Sequence, residues 1–542
     1  MNNIKRVKHI LKDYLTFIPY LFSILLTIIT FSTTKQFVPI IVGLIELFTI
    51  FSITNFSFHF NSIFANSVKS VLLLLYNMQM GLLFFGKSYL SLTMLTNLVS
   101  IKALSGNAVL YIGSILIVLF FTFLPVRKVQ LPLLYSPIHT ISLFLTLFVV
   151  EIGLLLMTQV SYSPTYSLIE LGDQWYSQYQ LTKSLNAQPN QTKQFYKSDI
   201  LDTVSRPGML SDKPNVILIF VEGLSQHIID DNRQIMPNIS RIQKESVSFD
   251  NYFNHTFATY KGLQGQLYSG YQMGDQDTNS LVSIADIFRE AGYSTTFLNS
   301  EPNNKTFTTY LQQLGFERVI ASDKLDKTTD TVSDKEMYHF LYNQMESEAK
   351  TNKPFFISMY TFGTHASLNS PNKKFRDGKS AELNKFYNLD YYFDQFIKKF
   401  NKTSASDNTL LVFTTDHATY VDNAYSNEFP DYGRANGMVD EIPLFFYYKG
   451  VEAQTIDVKG KNSLDLVPTI FDYIDYSSPN YFLGTSLFNY NSPNIYDTVF
   501  VSLETRLTTE GGEISNLSEE REKSIQQKLQ KYFTAKRQKA EK

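Results

Sequence analysis

Asn215-Val-Ile-Leu-Ile-Phe-Val221 is an unbroken apolar run of mostly β-favouring residues, and it ends at an acidic residue, Glu222. Because the run shows no polar alternation, it is typical of a strand buried on both faces of a parallel sheet. Ligand sites of open parallel sheets lie beyond the carboxyl ends of the strands. The residues that follow this run, and others like it, are therefore the first candidates for a functional site.

Similar runs recur downstream and alternate with helical patterns. Four runs lie at 295–298, 354–360, 409–414 and 443–448, and helical patterns lie at 236–245 and 282–291. Alternation of this kind predicts an α/β domain with a central, mostly parallel sheet.

Polar side chains that suit a metal ion come directly after three of these runs. Glu222 follows the run 215–221, His365 comes soon after the run 354–360, and Asp416-His417 follow the run 409–414. Carboxylate oxygens and imidazole nitrogens are ligands of divalent ions. An isolated Asp-His pair is more often a solvated turn, but the combination at several strand ends favours a metal site.

Residues 254–270 form a predicted loop that enters a helix and offers a candidate nucleophile. Thr259 would lie near the helix N-terminus, where backbone N–H groups favour an anion. A metal ion there would lower the pKa of the hydroxyl and stabilise an alkoxide. On spacing alone, the commoner interpretation of Thr259 is a helix cap.

The first 158 residues carry a membrane-protein pattern. Five apolar stretches lie at about 14–32, 37–56, 70–86, 107–126 and 138–158. Each is close to the ~20 residues that a helix needs to cross a bilayer. A cleaved signal peptide would show only one such core. The sequence therefore predicts five transmembrane helices.

Charge predicts the orientation of these helices. Residues 1–158 carry 10 basic and three acidic side chains, or +7, and the rest carry 38 and 47, or −9. Basic residues at 5–12, Lys69 in the predicted loop between the second and third spans, and Arg127-Lys128 place the N-terminus in the cytoplasm, although Lys35, Lys87 and Lys102 fall on the other side. An odd number of spans then places the remainder outside the cytoplasm, in a multi-pass protein of the cell membrane.

The chain accordingly divides into four parts. These are a membrane domain (1–158), a juxtamembrane linker (159–212), an extracytoplasmic catalytic domain (213–505) and a charged, helical C-terminal tail (506–542). Glu46 and Glu151 lie within predicted spans, where a carboxylate is either functional or turned to the bundle interior. In the tail, the stripe Ile525, Leu529 and Phe533 predicts a helix that lies on anionic lipid or is solvated, so the tail should be dispensable for catalysis.

Composition excludes several classes of protein. The chain has no cysteine, so it has no disulfide, zinc–thiolate site, iron–sulfur cluster or cysteine nucleophile. No basic tract stands out after residue 158, so nucleic acid is not an expected ligand.

Seven motifs, taken in order, resemble the lipoteichoic acid synthase family of membrane-anchored, sulfatase-like enzymes in the alkaline phosphatase superfamily. They are KPNVILIFVE (213–222), ATYKGL (258–263), PFF with GTH (354–356 and 363–365), TDH (415–417), EIPLFFY (441–447), SLDLVPTI (463–470) and NYFLGTSLF (480–488). The resemblance covers about residues 1–490 and implies a five-helix transmembrane bundle followed by a sulfatase-like α/β domain.

The resemblance also implies roles for individual residues. It implies one divalent metal ion, most commonly manganese, with zinc or magnesium possible, held by Glu222, Thr259, Asp416 and His417. Thr259 matches the nucleophile. His365 matches the histidine that contacts the transferred group, and Lys261 is a further candidate for substrate binding.

Two departures from the superfamily pattern are visible. Ala418 stands where many superfamily members have glycine, and this small residue should cost little. Without a cysteine or a Ser-x-Pro-x-Arg segment, the formylglycine of true sulfatases cannot form, so sulfate-ester hydrolysis is not expected.

The implied function is transfer of a phosphoglycerol or phosphoethanolamine group. The donor would be phosphatidylglycerol or phosphatidylethanolamine, the acceptor a surface glycan or polymer, and the intermediate a phosphothreonine. A metal-dependent phosphodiesterase or phosphatase would use the same residues, with water as the acceptor. A non-catalytic membrane pseudoenzyme is the third alternative, but a full set of Glu222, Thr259 and Asp416-His417 disfavours it.

Overall fold

A computed structural model describes most of the 542-residue chain. The described residues are 16–34, 37–86, 89–90, 94–95, 108–129, 145, 149, 152–153, 163–185, 191–200, 203–272, 281–351, 353–366, 368–434, 436–502 and 505–540. The chain forms two compact units, one of Met1–Leu95 with Asn107–Ser177 and one of Thr96–Gly106 with Gln178–Lys542.

The first unit is helical. Its helices are α1 (Ile18–Thr34), α2 (Phe37–Ser57), α3 (Ser62–Gly86), α4 (Ala108–Phe123) and the start of α5 (Pro164–Leu185). Helices α1 to α4 coincide with the first four predicted spans. Among the described residues, Ile40–Ser57 and Ser62–Gly86 are long and apolar enough to cross a membrane, and α1 and α4 contain shorter apolar helices. Most of the predicted span 138–158, including Glu151, lies outside the described residues, so five spans stay a prediction.

The predicted location of Lys69 in a loop between two spans is wrong. Helix α3 begins at Ser62, so Lys69 lies inside the helix and is fully buried. Its Nζ donates to the carbonyl oxygens of Thr122 (2.8 Å) and Leu124 (2.6 Å), at the end of α4. A lysine stem can lie along apolar surface while its ammonium group satisfies the free carbonyls of a helix C-terminus.

The second unit contains a central eight-stranded sheet with the order β4-β3-β5-β1-β6-β7-β2-β8. Its strands are β1 (Asn215–Val221), β2 (Val247–Asp250), β3 (Ser294–Leu298), β4 (Arg318–Ile320), β5 (Phe355–Tyr360), β6 (Thr409–Thr415), β7 (Phe445–Tyr447) and β8 (Gln454–Asp457). Strands β4, β3, β5, β1 and β6 are parallel neighbours, and only β7 runs antiparallel to its neighbours β6 and β2. The predicted α/β domain with a mostly parallel sheet is therefore confirmed.

Strand β1 lies at the centre because both of its faces are apolar. Val216, Leu218 and Phe220 belong to the hydrophobic core on one side of the sheet, and Ile217, Ile219 and Val221 to the core on the other side. Helices cover both faces: α6 (Thr192–Phe195), α7 (Gln226–Ile229), α8 (Pro237–Lys244), α9 (Thr259–Tyr268), α10 (Ile284–Glu290), α11 (Lys305–Gln312), α12 (Asp334–Glu348), α13 (Ala381–Phe400), α14 (Asn423–Glu428), α15 (Leu466–Tyr473) and α16 (Glu519–Ala540). Short 3₁₀ helices occur at Ser404–Asn408, Ser463–Asp465, Leu487–Asn489 and Glu510–Gly512.

The C-terminal segment forms a small sheet and a docked helix. Strands β9 (Val499–Val501), β10 (Arg506–Thr508) and β11 (Ser515–Asn516) are antiparallel, and α16 follows them. The apolar stripe of α16 is buried in the core of this unit, so the predicted lipid-bound or solvated helix is wrong. Tyr532 widens the stripe and packs against Phe195, with the ring centroids 5.3 Å apart.

Candidate metal centre and nucleophile

The sheet topology brings the predicted site residues to one edge. Strands β5, β1 and β6 are parallel neighbours, so their carboxyl ends meet. Glu222 follows β1, His365 lies beyond β5, and Asp416-His417 follow β6. These residues are far apart in the sequence but close in space, because adjacent parallel strands end at the same edge of the sheet.

Three of these residues form a compact buried cluster. The Nε2 atom of His417 lies 3.4 Å from Oε1 of Glu222 and 3.5 Å from Oδ2 of Asp416. One potential ligand atom from each residue lies within 4.8 Å of the others. The side chains are at most 6% exposed. This spacing and donor set suit one divalent ion.

Thr259 is the first residue of α9, and its Oγ1 donates a hydrogen bond of 3.1 Å to Oε2 of Glu222. Ala258, just before it, adopts a left-handed φ of 79°, which costs energy in a non-glycine residue. A Cβ atom on Gly262 would lie 2.2 Å from the carbonyl oxygen of Asp416. Only glycine therefore lets α9 approach the Asp416 loop closely enough to bring Thr259 beside the cluster.

The loops that carry the cluster are joined by hydroxyl groups. Oγ1 of Thr419 donates to the carbonyl oxygen of Gly223 (2.8 Å) and accepts from the N–H of Ser225 (3.0 Å). In return, Oγ of Ser225 accepts from the N–H of Thr419 (3.2 Å). These bonds fix the loop after β1 to the loop after β6, and sequence reasoning missed them.

Tyr360 is a further residue that sequence reasoning missed. Its hydroxyl donates to Oε2 of Glu222, and Oγ1 of Thr364 donates to the backbone oxygen of Glu222 (2.5 Å). Tyr360 is the last residue of β5, and its position at the end of a predicted strand was the signal that could have marked it as a site residue. Both contacts restrict Glu222.

Asp416 offers an oxygen for a cation. Its Oδ1 accepts from the N–H groups of Gly223 (2.9 Å) and His417 (2.8 Å). Its Oδ2 is buried and has no hydrogen-bond partner among the described residues. A buried, unsatisfied carboxylate oxygen is costly unless an ion or water satisfies it. The cluster therefore fits a metal ion.

The tautomer of His417 also fits. Its Nδ1 lies 2.7 Å from the carbonyl oxygen of Ala418, so Nδ1 must carry a proton and donate it. Nε2 then faces the two carboxylates and can serve as the metal-binding nitrogen. The carbonyl oxygen of Ala418 thus accepts a hydrogen bond, while its methyl group is buried in the hydrophobic core.

Electrostatics in the metal-free cluster are dominated by two close carboxylates. Burial and the charge of Glu222 raise the pKa of Asp416 to about 7. Burial also opposes ionisation of Glu222. The hydrogen bond from His417 and its charge outweigh the effect of burial, and they lower the pKa of Glu222 to about 2. Burial opposes the charged form of His417, yet both carboxylates raise its pKa to about 9. A bound cation would replace the protons that the site otherwise retains.

His365 lies at the same edge but outside this cluster. Its ring stacks on Phe362 with centroids 4.6 Å apart, and its Nδ1 lies 2.9 Å from the carbonyl oxygen of Ala366. Burial lowers the pKa of His365, although the charge of Glu222 acts in the opposite direction. Nδ1 must donate to this carbonyl, so Nε2 is the atom left for substrate.

Lys261 and Glu301 are two further charged candidates for a role in the site. Lys261 lies in α9 close to Thr259 and is 3% exposed, and its substrate-binding role stays a prediction. Glu301 lies in the loop after β3, at the same sheet edge, and sequence reasoning missed it. Burial and the charge of Glu222 raise its pKa to about 7, while a 3.2 Å hydrogen bond from Asn304 opposes the shift.

The fold and the site can be compared with those of known proteins. Residues 214–476 match the sulfatase family, as the sequence motifs predict. A search of curated proteins finds no match.

Several solved structures are similar to this chain at low sequence identity. An alkaline phosphatase superfamily protein from Vibrio parahaemolyticus has a TM-score of 0.51 and 18% identity, covering 63% of this chain and 90% of that chain. The integral membrane lipooligosaccharide phosphoethanolamine transferase A (EptA) from Neisseria meningitidis has a TM-score of 0.53 and 16% identity, covering 86% and 95%. The lipoteichoic acid synthase LtaP from Listeria monocytogenes has a TM-score of 0.48 and 17% identity, covering 61% and 95%.

Proposed function

We propose that this protein is a membrane-anchored, metal-dependent transferase. It moves a phosphoglycerol or phosphoethanolamine group from a membrane phospholipid to a cell-surface glycan or polymer. The observation that carries the proposal is the Thr259 hydroxyl, placed at a helix N-terminus and hydrogen-bonded to Glu222 of the buried cluster. The likeness to EptA, a phosphoethanolamine transferase, supports it at the level of the fold.

The metal would be held by Glu222, Asp416, His417 and Oγ1 of Thr259. Oxygen donors with one imidazole are a hard-to-borderline set, which suits manganese, magnesium or zinc. The family resemblance makes manganese the first choice. When bound, such an ion neutralises charge on the phosphoryl group and lowers the pKa of the threonine hydroxyl.

The residues of the chain then perform a two-step transfer. The Thr259 hydroxyl releases its proton to solvent water and its oxygen attacks the phosphorus atom, the bond to the diacylglycerol oxygen breaks, and a phosphothreonine forms. The negative charge of the bound phosphodiester acts on the pKa of His365 in the same direction as Glu222 and favours its imidazolium, which gives the leaving oxygen its proton through Nε2. In the second step the acceptor oxygen attacks the phosphorus atom, the bond between Thr259 and phosphorus breaks, neutral His365 takes the proton of the acceptor hydroxyl, and Thr259 regains a proton from solvent. The first N–H groups of α9 favour the negative charge on Thr259.

The membrane arrangement belongs to the same proposal. The chain crosses the membrane five times with the N-terminus in the cytoplasm, and residues 213–505 form the catalytic domain outside. The apolar helices of the first unit and the 86% coverage by the EptA likeness support this arrangement. The sequence matches GxxxxGK[ST] at residues 81–88, but the match begins inside the apolar helix α3 (Ser62–Gly86) rather than after a strand, so it lacks the context of a phosphate-binding loop. A lipid donor therefore suits this arrangement better than a nucleotide.

The test uses the full-length protein in mixed micelles with Mn²⁺ and head-group-labelled phosphatidylglycerol or, separately, phosphatidylethanolamine. We expect slow release of diacylglycerol without an acceptor, since water can replace it. Release from only one lipid identifies the head group. Release from neither, together with efficient cleavage of simple phosphate monoesters, would favour the phosphatase alternative and overturn the transferase.

A pair of variants controls this test. Thr259→Ala should abolish turnover and the labelled phosphoprotein, because it removes the nucleophile and a metal ligand together. Thr256→Ala is the matched control, since Thr256 is a buried threonine three positions earlier in the same loop. If Thr259→Ala kept substantial activity and Thr256→Ala lost it, Thr256 would be the nucleophile.

A further inference from the structure

We propose that one face of α5, formed by Ile169, Trp175 and Tyr176, is a lipid-facing surface whose Trp175 end lies in the headgroup layer. This inference rests on the proposed membrane location of the first unit. The three side chains are 63%, 64% and 55% exposed, respectively, and apolar or aromatic. At ~100° per residue they fall within an arc of about 120°. The exposed acids Glu170 and Asp173 lie outside that arc.

The first turn of α5 is fixed against two apolar helices. Glu46 of α2, which is 4% exposed, accepts hydrogen bonds from Oγ of Ser163 (2.9 Å) and from the N–H of Thr165 (3.4 Å). Nε2 of Gln79 in α3 donates to Oγ of Ser167 (2.7 Å). A carboxylate at a helix N-terminus satisfies its free N–H groups and its dipole. Glu46 is therefore an anchor for α5.

These anchors set the depth of Trp175. At ~1.5 Å per residue, Glu46 lies about 13–14 Å from the start of α2 at Phe37, and Gln79 lies about 10 Å from the end of α3 at Gly86. Because α2 and α3 follow each other, Phe37 and Gly86 lie on the same side. Along α5, Trp175 lies about 15 Å beyond Thr165. Trp175 therefore comes level with the ends of both helices.

The order of the anchors gives the direction of α5. Glu46 lies about 3 Å deeper than Gln79 when both are measured from their helix ends. Thr165, the partner of Glu46, precedes Ser167, the partner of Gln79, by two residues, which is also about 3 Å. The contacts Glu46–Thr165 and Gln79–Ser167 can form together only if α5 runs towards the side on which Phe37 and Gly86 lie.

Lipid is the occupant that this chemistry selects. Tryptophan and tyrosine favour the membrane–water interface, because their rings are apolar and their N–H or O–H groups need polar partners. Ile169 lies about 9 Å deeper than Trp175, at the level of the acyl chains. Exposed apolar residues of α2 lie over the same range of depths in the membrane as this face. Among them, Ile41 is 53% and Phe48 46% exposed. The phosphate of a lipid donor lies in the same headgroup layer.

Trp175 is the only tryptophan of the chain, so its fluorescence reports on this surface directly. The full-length protein is reconstituted into phosphatidylglycerol–phosphatidylcholine vesicles that carry bromine either near the ester end or near the methyl end of the acyl chains. We expect blue-shifted emission, stronger quenching by the shallow label than by the deep one, and little quenching by iodide. Strong iodide quenching with no effect of either brominated lipid would overturn the proposal.

A second variant moves the reporter. In Trp175→Phe combined with Met209→Trp, the single tryptophan lies on the second unit, where Met209 is 59% exposed. Iodide should quench it and brominated lipid should not. Vesicle flotation separates the two proposals: protein that does not float refutes the membrane anchoring. Protein that floats with Trp175 open to iodide refutes only the lipid-facing surface.

Discussion

At Thr419, a single hydroxyl joins the two loops that hold the candidate metal ligands, through the carbonyl of Gly223 and the N–H of Ser225. Thr419→Val keeps the shape of the side chain and removes both bonds. We expect Mn²⁺ affinity, measured by calorimetric titration, to fall by about 10–100-fold, as for other groups that orient ligands. Thr455→Val, at an exposed threonine of β8, is the matched control. Unchanged affinity in Thr419→Val would show that the loops hold their geometry without this hydroxyl.

The buried carboxyl of Asp334 makes the stability of the second unit depend on pH. Asp334 is 1% exposed, and burial raises its pKa from 3.8 to about 6 despite a hydrogen bond from Asn388. Because the folded state binds this proton more tightly, its contribution falls as pH rises from about 4 to about 6 and stays low above that range. Asp334→Asn removes the penalty, so we expect stabilisation by up to roughly 3 kcal/mol at about pH 8 and little at about pH 4.

Melting curves of the full-length protein across this pH range measure the effect of Asp334→Asn. Asp212→Asn is the control, because the Asp212 side chain is 92% exposed. Equal shifts at both ends of the pH range would show that Asp334 is not the group responsible.

Individual site residues differ in how far the sequence predicts them. Glu222, Asp416 and His417 were predictable because each directly follows an apolar run, and one rule about strand ends places them together. Tyr360 and Thr419 were not. Tyr360 is an ordinary aromatic residue at a strand end and Thr419 an ordinary threonine in the loop after β6, and their roles depend on the register that brings β5 and β6 beside β1.

At the scale of elements, α16 is part of the core of the second unit rather than a dispensable tail. Leu529 is 3% exposed on this helix. Leu529→Ala should destabilise the second unit by about 2–5 kcal/mol, the usual cost of such a cavity. The neighbouring Lys528 is exposed, so Lys528→Ala should change stability little.

Truncation after Leu517 should abolish activity even on a soluble substrate, because it removes α16 from the core of the second unit. An active truncated protein would show that the tail is dispensable.

Strands and helices were predictable where their patterns were strong. The long apolar strands β1, β3, β5 and β6 lie where the sequence predicts them, within about a residue. Strands β2, β4 and β8 are short or partly exposed, so their patterns carry little signal. The stripe of α16 was visible, but an apolar stripe does not specify the surface that covers it. Its partner Phe195 is distant in sequence.

At the scale of the whole molecule, the orientation in the membrane follows from one end of the helical unit. Lys69 reaches the C-terminus of α4, so the start of α3 and the end of α4 lie on the same side. Arg127 and Lys128 follow immediately and make this side basic, so the positive-inside rule predicts that it faces the cytoplasm. The second unit then reaches the outside only if the chain crosses once more after α4.

Single cysteines test that crossing without background, because the natural chain has no cysteine. Met209→Cys places a thiol on an exposed position of the second unit, and Lys128→Cys places one on the exposed segment after α4. With a membrane-impermeant maleimide, we expect Met209→Cys to react in intact cells and Lys128→Cys to react only after permeabilisation, because a fifth span separates them. If both thiols reacted only after permeabilisation, the chain would have an even number of spans, and the catalytic domain would face the cytoplasm, away from any surface glycan. The proposed acceptor would then be wrong, while the geometry around Thr259 would still support phosphoryl transfer.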